Sequence, residues 1–263
     1  MTETNSPTPR RSNALSLAVA GKGGTGKTTI AALLVRALVR GGRRPVLAID
    51  ADPNATLGEA LGLQPDNTVV GAVEKYFGER ADIPAGMSRD KYLEQRLAEV
   101  VCEHAGFDLL VMGRPEGAGC YCAANNVLRA SIDALGKSYR AVVMDNEAGM
   151  EHMSRRTTRS VDHLILVSDH SVRGVRTAVR VNALATELNL GIGKRWLVIN
   201  RAPPTIDPAV EAVAKEAGLP ILLTLPQDEG IARADITGTS LLDLPDDSPA
   251  ATGIDDLLRR LTA

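Results

Sequence analysis

The sequence predicts a single α/β domain in which helices flank both faces of a mostly parallel sheet. Short apolar segments alternate along the chain with amphipathic segments, which is the order expected of β-α-β units. The short segments are apolar throughout, as is typical of strands that are covered on both faces. With 263 residues, 44% of them hydrophobic and only 3% aromatic, the chain is long enough to bury one aliphatic core.

Seven strands and six helices follow from these patterns. The predicted strands are Leu15–Ala20, Pro45–Asp50, Phe107–Met112, Ala141–Asp145, His163–Val167, Trp196–Asn200 and Ile221–Leu225. The predicted helices are Lys27–Val39, Tyr92–Glu103, Ala123–Leu135, Val172–Leu188, Pro208–Ala217 and Gly253–Leu261. Short helices and loops are expected in Gln64–Asp90, which is more polar. We expect residues 1–13 to form a flexible tail and residues 14–263 to form the domain.

Charge and cysteine content exclude several classes of function. Thirty basic and 32 acidic residues give a net charge of −2, so a nucleic-acid partner is not expected. No apolar run is long enough to span a bilayer, so stable membrane insertion is not expected either. Three cysteines, two of them one residue apart, fit a reducing compartment. We therefore expect a cytoplasmic protein.

A glycine-rich loop follows the first predicted strand and precedes the first predicted helix. Its sequence, Gly21-Lys22-Gly23-Gly24-Thr25-Gly26-Lys27-Thr28-Thr29, matches the phosphate-binding pattern G-x-x-x-x-G-K-[ST] in its required context. The glycines let backbone N–H groups approach phosphate oxygens, Lys27 reaches the β and γ phosphates, and Thr28 offers its hydroxyl to Mg²⁺. The sequence thus predicts a P-loop NTPase domain.

A second lysine, Lys22, lies inside this loop. On this feature the chain resembles the deviant Walker A ATPases, the family of MinD, ParA, ArsA and the nitrogenase iron protein. The resemblance implies that Lys22 crosses a homodimer interface to the phosphates of the other subunit and supports catalysis there. A second cation at the γ phosphate would stabilise charge that develops in phosphoryl transfer. The alternative is a Lys22 that only faces solvent.

Acidic residues end two of the predicted strands. The resemblance implies that Asp52 orients the attacking water and that Asp50 supports Mg²⁺ through water, although Asp52 could instead cap the following helix. Asp145 stands at the Walker B position and should hold the Mg²⁺ shell. Gly149 would offer its N–H to the γ phosphate, whereas the roles of Asn146 and Glu147 stay open.

The base pocket is expected at the ends of two later strands. Asn200 and Arg201 stand at the end of one strand, and Pro226, Gln227 and Asp228 follow the next. Both groups resemble adenine-contacting positions of the family. A guanine signature N-K-x-D is absent because Pro203 stands where its aspartate would be. The expected nucleotide is therefore ATP.

Two cysteines, Cys120 and Cys122, lie on a glycine-flanked segment. Two thiolates this close bind one metal but do not complete its coordination, which a twofold dimer would do with four sulfurs. Ni²⁺, Zn²⁺ and a [4Fe–4S] cluster all fit such a site. Cys102, by contrast, lies on the apolar face of a predicted helix and is expected to pack in the core.

The segment Met112–Cys122 and the run Gly149-Met150-Glu151-His152 are similar to one branch of the family, the CooC-type maturation factors of carbon monoxide dehydrogenase. This resemblance implies an ATP-dependent metallochaperone that delivers nickel to such an enzyme. Two alternatives stay open: an ATP-gated iron–sulfur electron donor like the nitrogenase iron protein, and a positioning ATPase like MinD or ParA. His152 is expected to be solvated or to cap a helix, with roles as a metal ligand or as a sensor of the switch as the alternatives.

Overall fold

The computed structural model describes residues 14–78, 83–84, 86–114, 138–147 and 161–263. Its strands are β1 (Leu15–Gly21), β2 (Val46–Ala51), β3 (Cys102–His104), β4 (Phe107–Val111), β5 (Ala141–Asn146), β6 (Val161–Ser168), β7 (Ile192–Ala202) and β8 (Ile221–Pro226). They form one sheet in the order β3-β4-β2-β5-β1-β6-β7-β8. All neighbouring pairs are parallel except β3 with β4.

Helices cover both faces of this sheet. They are α1 (Lys27–Arg40), α2 (Leu57–Ala60), α3 (Val69–Gly78), α4 (Arg89–Ala98), α5 (Val172–Glu187), α6 (Pro208–Glu216), α7 (Glu229–Thr237) and α8 (Pro249–Thr262). Helices α1 and α8 share one apolar cluster with the central strands, and α5 and α6 share another on the opposite face. Among the described residues, no helix combines the length and the apolar character needed to cross a bilayer.

Strand β1 shows why the central strands of the sheet are apolar throughout. Leu17 and Val19 face the cluster with α1, whereas Ala18 and Ala20 face the cluster with α5. All four side chains are at most 1% exposed, because side chains alternate between the two faces of a sheet and both faces are covered. The predicted α/β class with a mostly parallel sheet is thereby confirmed.

The strand order indicates where the sheet binds a ligand. Strand β1 lies at the centre, with β5 and β2 on one side and β6 and β7 on the other. The connections therefore run in opposite directions from β1, and the crevice beyond the carboxyl ends of the strands is where α/β proteins bind ligands. Asp50 of β2 pairs in register with Asp145 of β5, which pairs with Val19 of β1.

All seven predicted strands are present, but the helix predicted over Tyr92–Glu103 is wrong at its end. Helix α4 stops at Ala98, and the chain then forms the hairpin of β3 and β4. The turn at Ala105–Gly106 requires a positive φ of 96° at Gly106, which a glycine adopts without strain. Cys102 consequently lies on an antiparallel edge strand and not on a helix, although it still packs, half-buried, against the main core.

Other differences concern helices. Helix α7 was not predicted, and α8 begins at Pro249, earlier than the predicted Gly253. The expectation of short helices in Gln64–Asp90 is confirmed by α3 and the start of α4. The predicted helix Ala123–Leu135 and the predicted tail at residues 1–13 lie outside the described residues.

Candidate functional site

The P loop joins β1 to α1 at the carboxyl edge of the sheet. Gly26 stands at the N-cap of α1 with φ 92°, and no side chain caps the helix there. An uncapped helix start keeps its first N–H groups and the positive end of its dipole available for an anion. Lys27, the first residue of α1, is only 7% exposed, whereas Lys22 is exposed.

Hydrogen bonds fix the path of this loop from outside. The hydroxyl of Thr25 donates to the carbonyl oxygen of Lys22 at 2.8 Å. The side-chain amide of Asn200 donates to the carbonyl of Thr25 at 2.9 Å, and the guanidinium of Arg201 donates to the carbonyl of Gly24. Two strand-end residues that were predicted to contact the base therefore hold the backbone of the P loop.

Thr28 and Asp145 form the pair that the Mg²⁺ prediction requires. The Thr28 hydroxyl donates to Asp145 Oδ2 at 2.6 Å. Asp145 is 1% exposed, and its Oδ1 is buried without a hydrogen-bond partner among the described residues. Desolvation raises the pKa of Asp145 to about 6, although the Thr28 hydrogen bond and the charge of Lys27 act against this shift. Such a carboxylate has a lone pair to give to a cation or its water.

Both carboxylate oxygens of Asp50 accept hydrogen bonds from the backbone, which the predicted role beside Mg²⁺ did not include. Its Oδ2 accepts from the backbone N–H of Leu57 at 2.8 Å, and its Oδ1 accepts from the N–H of Asp52 at 3.1 Å. Desolvation raises the pKa of Asp50 to about 7, and the neighbouring Asp145 adds to the shift. Asp50 thus anchors the segment that leads into α2.

Asp52 lies half-buried at the tip of β2 and does not cap α2. Its Oδ1 accepts from the backbone N–H and from the side-chain amide of Asn54, both at 2.9 Å. Since Asp50 is the residue that reaches Leu57 at the start of α2, the capping alternative considered for Asp52 is wrong. Asp52 lies on the wall of a cleft that residues of the P loop also line.

The Walker B strand ends in two polar residues whose roles were open. Asn146 is 1% exposed, and its side-chain amide donates to the carbonyl of Val19 at 2.9 Å. Asn146 therefore fastens β5 to β1 next to the P loop. Glu147 lies on the wall of the cleft. Gly149 and His152, and likewise Cys120 and Cys122, lie outside the described residues.

Asp228 has its carboxylate occupied by protein donors. Its Oδ1 accepts from the N–H groups of Gly230 and Ile231 at the start of α7, and its Oδ2 accepts from Ser248 Oγ at 2.6 Å and from the N–H of Ala250 in α8. Burial raises the pKa of Asp228, but these hydrogen bonds outweigh it and hold the pKa below its usual range. Asp228 therefore joins two helices beside the cleft.

A cleft of about 700 Å³ brings most of the predicted residues together. The predicted residues that line it are Gly23, Gly24, Gly26, Lys27, Thr28, Thr29, Asp52, Asn200, Arg201, Pro226, Gln227 and Asp228. Lys22, Thr25, Asp50 and Asp145 are not part of its lining. This volume is in the range of small-molecule sites.

The cleft fits a nucleotide with Mg²⁺. The P loop supplies glycine backbone and a lysine at one end, and Pro226 and Ile231 supply apolar surface at the other. Thr28 of this lining donates to the carboxylate of Asp145, whose Oδ1 has no hydrogen-bond partner among the described residues. An anionic ligand and a hard cation suit this set of oxygen and nitrogen groups.

Comparison with known proteins identifies the family. A family model described as the CobQ/CobB/MinD/ParA nucleotide binding domain matches residues 17–241. The chain belongs to this family. Like other members of the MinD/ParA family, the chain is an ATPase.

Two curated relatives of this MinD/ParA-family chain cover nearly its whole length. An ATP-binding protein of Methanocaldococcus jannaschii is 42% identical over 247 residues, which are 93% of this chain and 97% of that protein. The carbon monoxide dehydrogenase accessory protein CooC of Rhodospirillum rubrum is 34% identical over 248 residues, 90% of this chain and 91% of CooC. The predicted resemblance to the deviant Walker A family and to CooC is confirmed.

Solved structures of the MinD/ParA family show the same fold. MinD of Pyrococcus horikoshii, solved with Mg-ADP, superposes with a TM-score of 0.69 over 94% of this chain and 96% of that chain. Its sequence identity is 21%, so the likeness concerns the fold alone.

No role was predicted for several residues that line the cleft. They are Asn54, Thr56, Glu147, Ile231, Ala232 and Asp235. The last three belong to α7, which forms the wall between this cleft and a second cleft of about 770 Å³ that also reaches Cys102. The sequence did contain a signal for the start of α7, because Asp228 is a good N-cap residue and Glu229 follows it in the first turn.

Proposed function

We propose that this ATPase is a metallochaperone that works as a homodimer and delivers a metal ion, nickel in the first place, to an enzyme of the carbon monoxide dehydrogenase type. The observation that carries the proposal is the 34% identity to CooC across 90% of this chain, together with the pair Cys120 and Cys122. In this proposal the cysteine pairs of two subunits form one four-sulfur site at the dimer axis.

The geometry supports a link between the nucleotide and the cysteines. Strand β4 ends at Val111, and the chain continues through Met112 at the carboxyl edge of the sheet. There the N–H of Met112 donates to the carbonyl of Asp50 at 2.8 Å. The chain that leads to the cysteines therefore leaves the sheet at Met112, beside the strand whose end bears Asp50 and Asp52. A nucleotide-dependent shift of that strand end would reach the metal-binding segment directly.

Within the cleft we assign each group a part in hydrolysis. Lys27 and the N–H groups of the loop bind the β and γ phosphates, and Thr28 and Asp145 hold the Mg²⁺ shell, with Asp50 fixing the segment beside them. Mg²⁺ neutralises charge on the phosphate oxygens when it is bound. Asp52 lies on the cleft wall with one carboxylate oxygen turned to Asn54, so its other oxygen is the one to orient the attacking water.

Lys22 is assigned to the partner's nucleotide. It is exposed and absent from the lining of the cleft in its own subunit, although it lies in the same loop as Lys27. The charge of Lys22 acts on Asp169 in its own subunit, and the exposed side chain can extend from there to a second subunit that faces the loop. Its ammonium would stabilise the charge of the transition state there, as an arginine finger does.

The test is metal binding by a double variant, Cys120→Ser with Cys122→Ser, measured by equilibrium dialysis against Ni²⁺ and Zn²⁺ under anaerobic conditions. The wild type is expected to bind one metal ion per dimer and the double variant none, with ATP hydrolysis changed less than about twofold because the P loop is intact. Cys102→Ser is the matched control, since Cys102 packs against the core and should leave metal binding unchanged.

Equal metal binding by the double variant and the wild type contradicts the proposal. A reducible iron–sulfur signal in the anaerobically purified wild type would favour the electron donor. ATP-dependent sedimentation with liposomes would favour a positioning ATPase. Lys22→Ala tests the dimer independently, because scattering should show the wild type as a dimer with ATP and the variant as a monomer.

A further inference from the structure

Arg201 has an uncommon backbone conformation at the end of β7. Its φ is 51°, in the left-handed region, which costs a residue with a Cβ roughly 1–2 kcal/mol. Strain of this kind persists where surrounding contacts determine the conformation. Here the Nδ1 of His170 lies 3.1 Å from the Arg201 carbonyl oxygen and donates to it, and the Arg201 N–H donates to Asn200 Oδ1 at 3.0 Å.

This conformation directs the Arg201 side chain at the P loop. The guanidinium donates to the carbonyl of Gly24, and the adjacent Asn200 donates to the carbonyl of Thr25 at 2.9 Å. Two successive carbonyls of the loop are thereby held by two successive residues of one strand end. An arginine donor also makes a stronger hydrogen bond than a neutral group does.

Holding the carbonyls sets the direction of the N–H groups. In a planar peptide unit the C=O and the N–H point in opposite directions, so the Thr25 carbonyl bound to Asn200 turns the Gly26 N–H away from β7. The fit is close: a Cβ on Gly26 would lie 2.3 Å from Asn200 Nδ2. In the preceding peptide unit, whose carbonyl Arg201 holds, the Thr25 N–H donates to the carbonyl of Lys22 at 3.4 Å and closes the turn of the loop. The Gly26 N–H is thereby left to face an anion.

We propose that Arg201 is a positioning residue that keeps the P loop in its phosphate-binding shape, with His170 holding the Arg201 backbone in place. This differs from the expected contact of Arg201 with the base. The inference rests on the proposed placement of the phosphates in the P loop, and it is independent of metal delivery. Arg201 then sets affinity for every ligand that carries a diphosphate, whatever its base.

The test compares three ligands that share a diphosphate: ADP, GDP and inorganic pyrophosphate, each with Mg²⁺, by calorimetry on the full chain. Arg201→Ala is expected to weaken all three by about the same factor, on the order of tenfold for one charge-assisted hydrogen bond. The ratio of ADP to GDP affinity should stay as in the wild type. Arg201→Lys should recover part of the lost affinity. His170→Ala should lose less affinity than Arg201→Ala, again by about the same factor for all three ligands.

Two results would overturn the inference. A loss for ADP with unchanged pyrophosphate affinity and a changed ratio of ADP to GDP would make Arg201 a base contact. Unchanged affinity for all three ligands in a folded Arg201→Ala variant would give Arg201 no part in the site. Thermal melting establishes the folded state, and Arg180→Ala, an exposed arginine of α5, is the control that should change nothing.

Lys27→Ala separates this inference from the proposed function. If Lys27→Ala loses pyrophosphate binding, the phosphates lie in the P loop. Wild-type affinities in Arg201→Ala would then count against the role of Arg201 alone. Unchanged pyrophosphate binding in Lys27→Ala means that the phosphates are placed wrongly, and the proposed function fails at its first step.

Discussion

Carboxylates differ in their burial and hydrogen bonds between the amino edge of the sheet, where the parallel strands begin, and the carboxyl edge, where they end. At the amino edge, Asp162 is exposed and its Oδ2 accepts from both the N–H and the hydroxyl of Ser16 at 2.8 Å, while Ser16 Oγ accepts from the N–H of Asp162. At the carboxyl edge, Asp145 is buried with one oxygen unpartnered among the described residues. Because a buried polar atom without a hydrogen-bond partner destabilises a protein, the carboxyl edge loses stability that a bound ligand would restore, whereas the amino edge contributes stability.

The largest effect is expected when the same substitution is made at both edges. Asp145→Asn should lower kcat for ATP hydrolysis by about 100-fold or more, since it removes the charge next to the Mg²⁺ shell. Asp162→Asn should leave kcat within about twofold and lower the free energy of unfolding by about 1 kcal/mol, the size of a lost hydrogen bond near the surface. Phosphate release and urea unfolding without nucleotide measure the two quantities.

ATP hydrolysis by Asp145→Asn at the wild-type rate would contradict this difference between the two edges. A larger loss of stability in Asp145→Asn than in Asp162→Asn, without nucleotide and at pH 7.5, would contradict it as well. A neutral amide in a buried site that disfavours charge should instead be neutral or stabilising there.

The pH dependence of stability should come from the carboxyl edge. Burial raises the pKa of Asp50 to about 7 and that of Asp145 to about 6, against 3.8 in the unfolded chain. The folded protein therefore binds these protons more tightly, so their contribution is full below about pH 4 and is lost as the pH rises through 6 and 7. Unfolding free energies without nucleotide should fall between pH 5 and 8 on this account, by an amount on the order of a few kcal/mol.

Other titrating groups can be told apart from Asp50 and Asp145 by the direction of their pKa shift and by the pH range in which they act. The pKa values of Asp169 and Asp228 are lowered, so their contribution is lost only when the pH falls below the window. Burial lowers the pKa of His163, which makes stability rise with pH inside the window. The slope of wild type minus Asp145→Asn cancels His163 and should be negative between pH 5 and 8, whereas wild type minus Tyr139→Phe should show no slope. A difference of zero in the first pair would contradict the assignment.

Sequence predicted the parts of this molecule that depend on local signals. The P loop is one contiguous pattern, and the strands are apolar because both faces are covered, so both were predicted from the residues. The hairpin of β3 and β4 was missed because a three-residue edge strand has too little pattern to compete with the helical signal before it. Gly106 was the available sign of the turn.

The candidate site was predicted by residue but less well by contact. Asp50 and Asp145 were expected near Mg²⁺, yet only the structure shows that Asp50 gives its oxygens to Leu57 and Asp52. In the same way, Arg201 was expected at the base, and its contact with Gly24 depends on a backbone conformation that no residue type announces. Contacts between distant residues are set by tertiary packing, which single-residue patterns do not contain.

The smallest expected effect returns to the amino edge. Tyr139 is 8% exposed, and its hydroxyl donates to Asp108 Oδ2 at 2.5 Å. Burial raises the pKa of Tyr139, and the hydrogen bond to Asp108 adds to the shift, so the phenol stays neutral at ordinary pH. Tyr139→Phe should lower the free energy of unfolding by about 1 kcal/mol, with no change of slope between pH 5 and 8.

ATP hydrolysis by Tyr139→Phe should equal that of the wild type, because Tyr139 precedes β5 at the edge opposite the cleft. Activity and urea unfolding on the same preparation check both expectations, with Asp108→Asn as the second member of the pair. If Tyr139→Phe slowed hydrolysis more than about threefold while unfolding as expected, the amino edge would also control the site, since β5 carries Asp145 at its other end. The division of the sheet into a stabilising edge and a ligand-binding edge would then not hold.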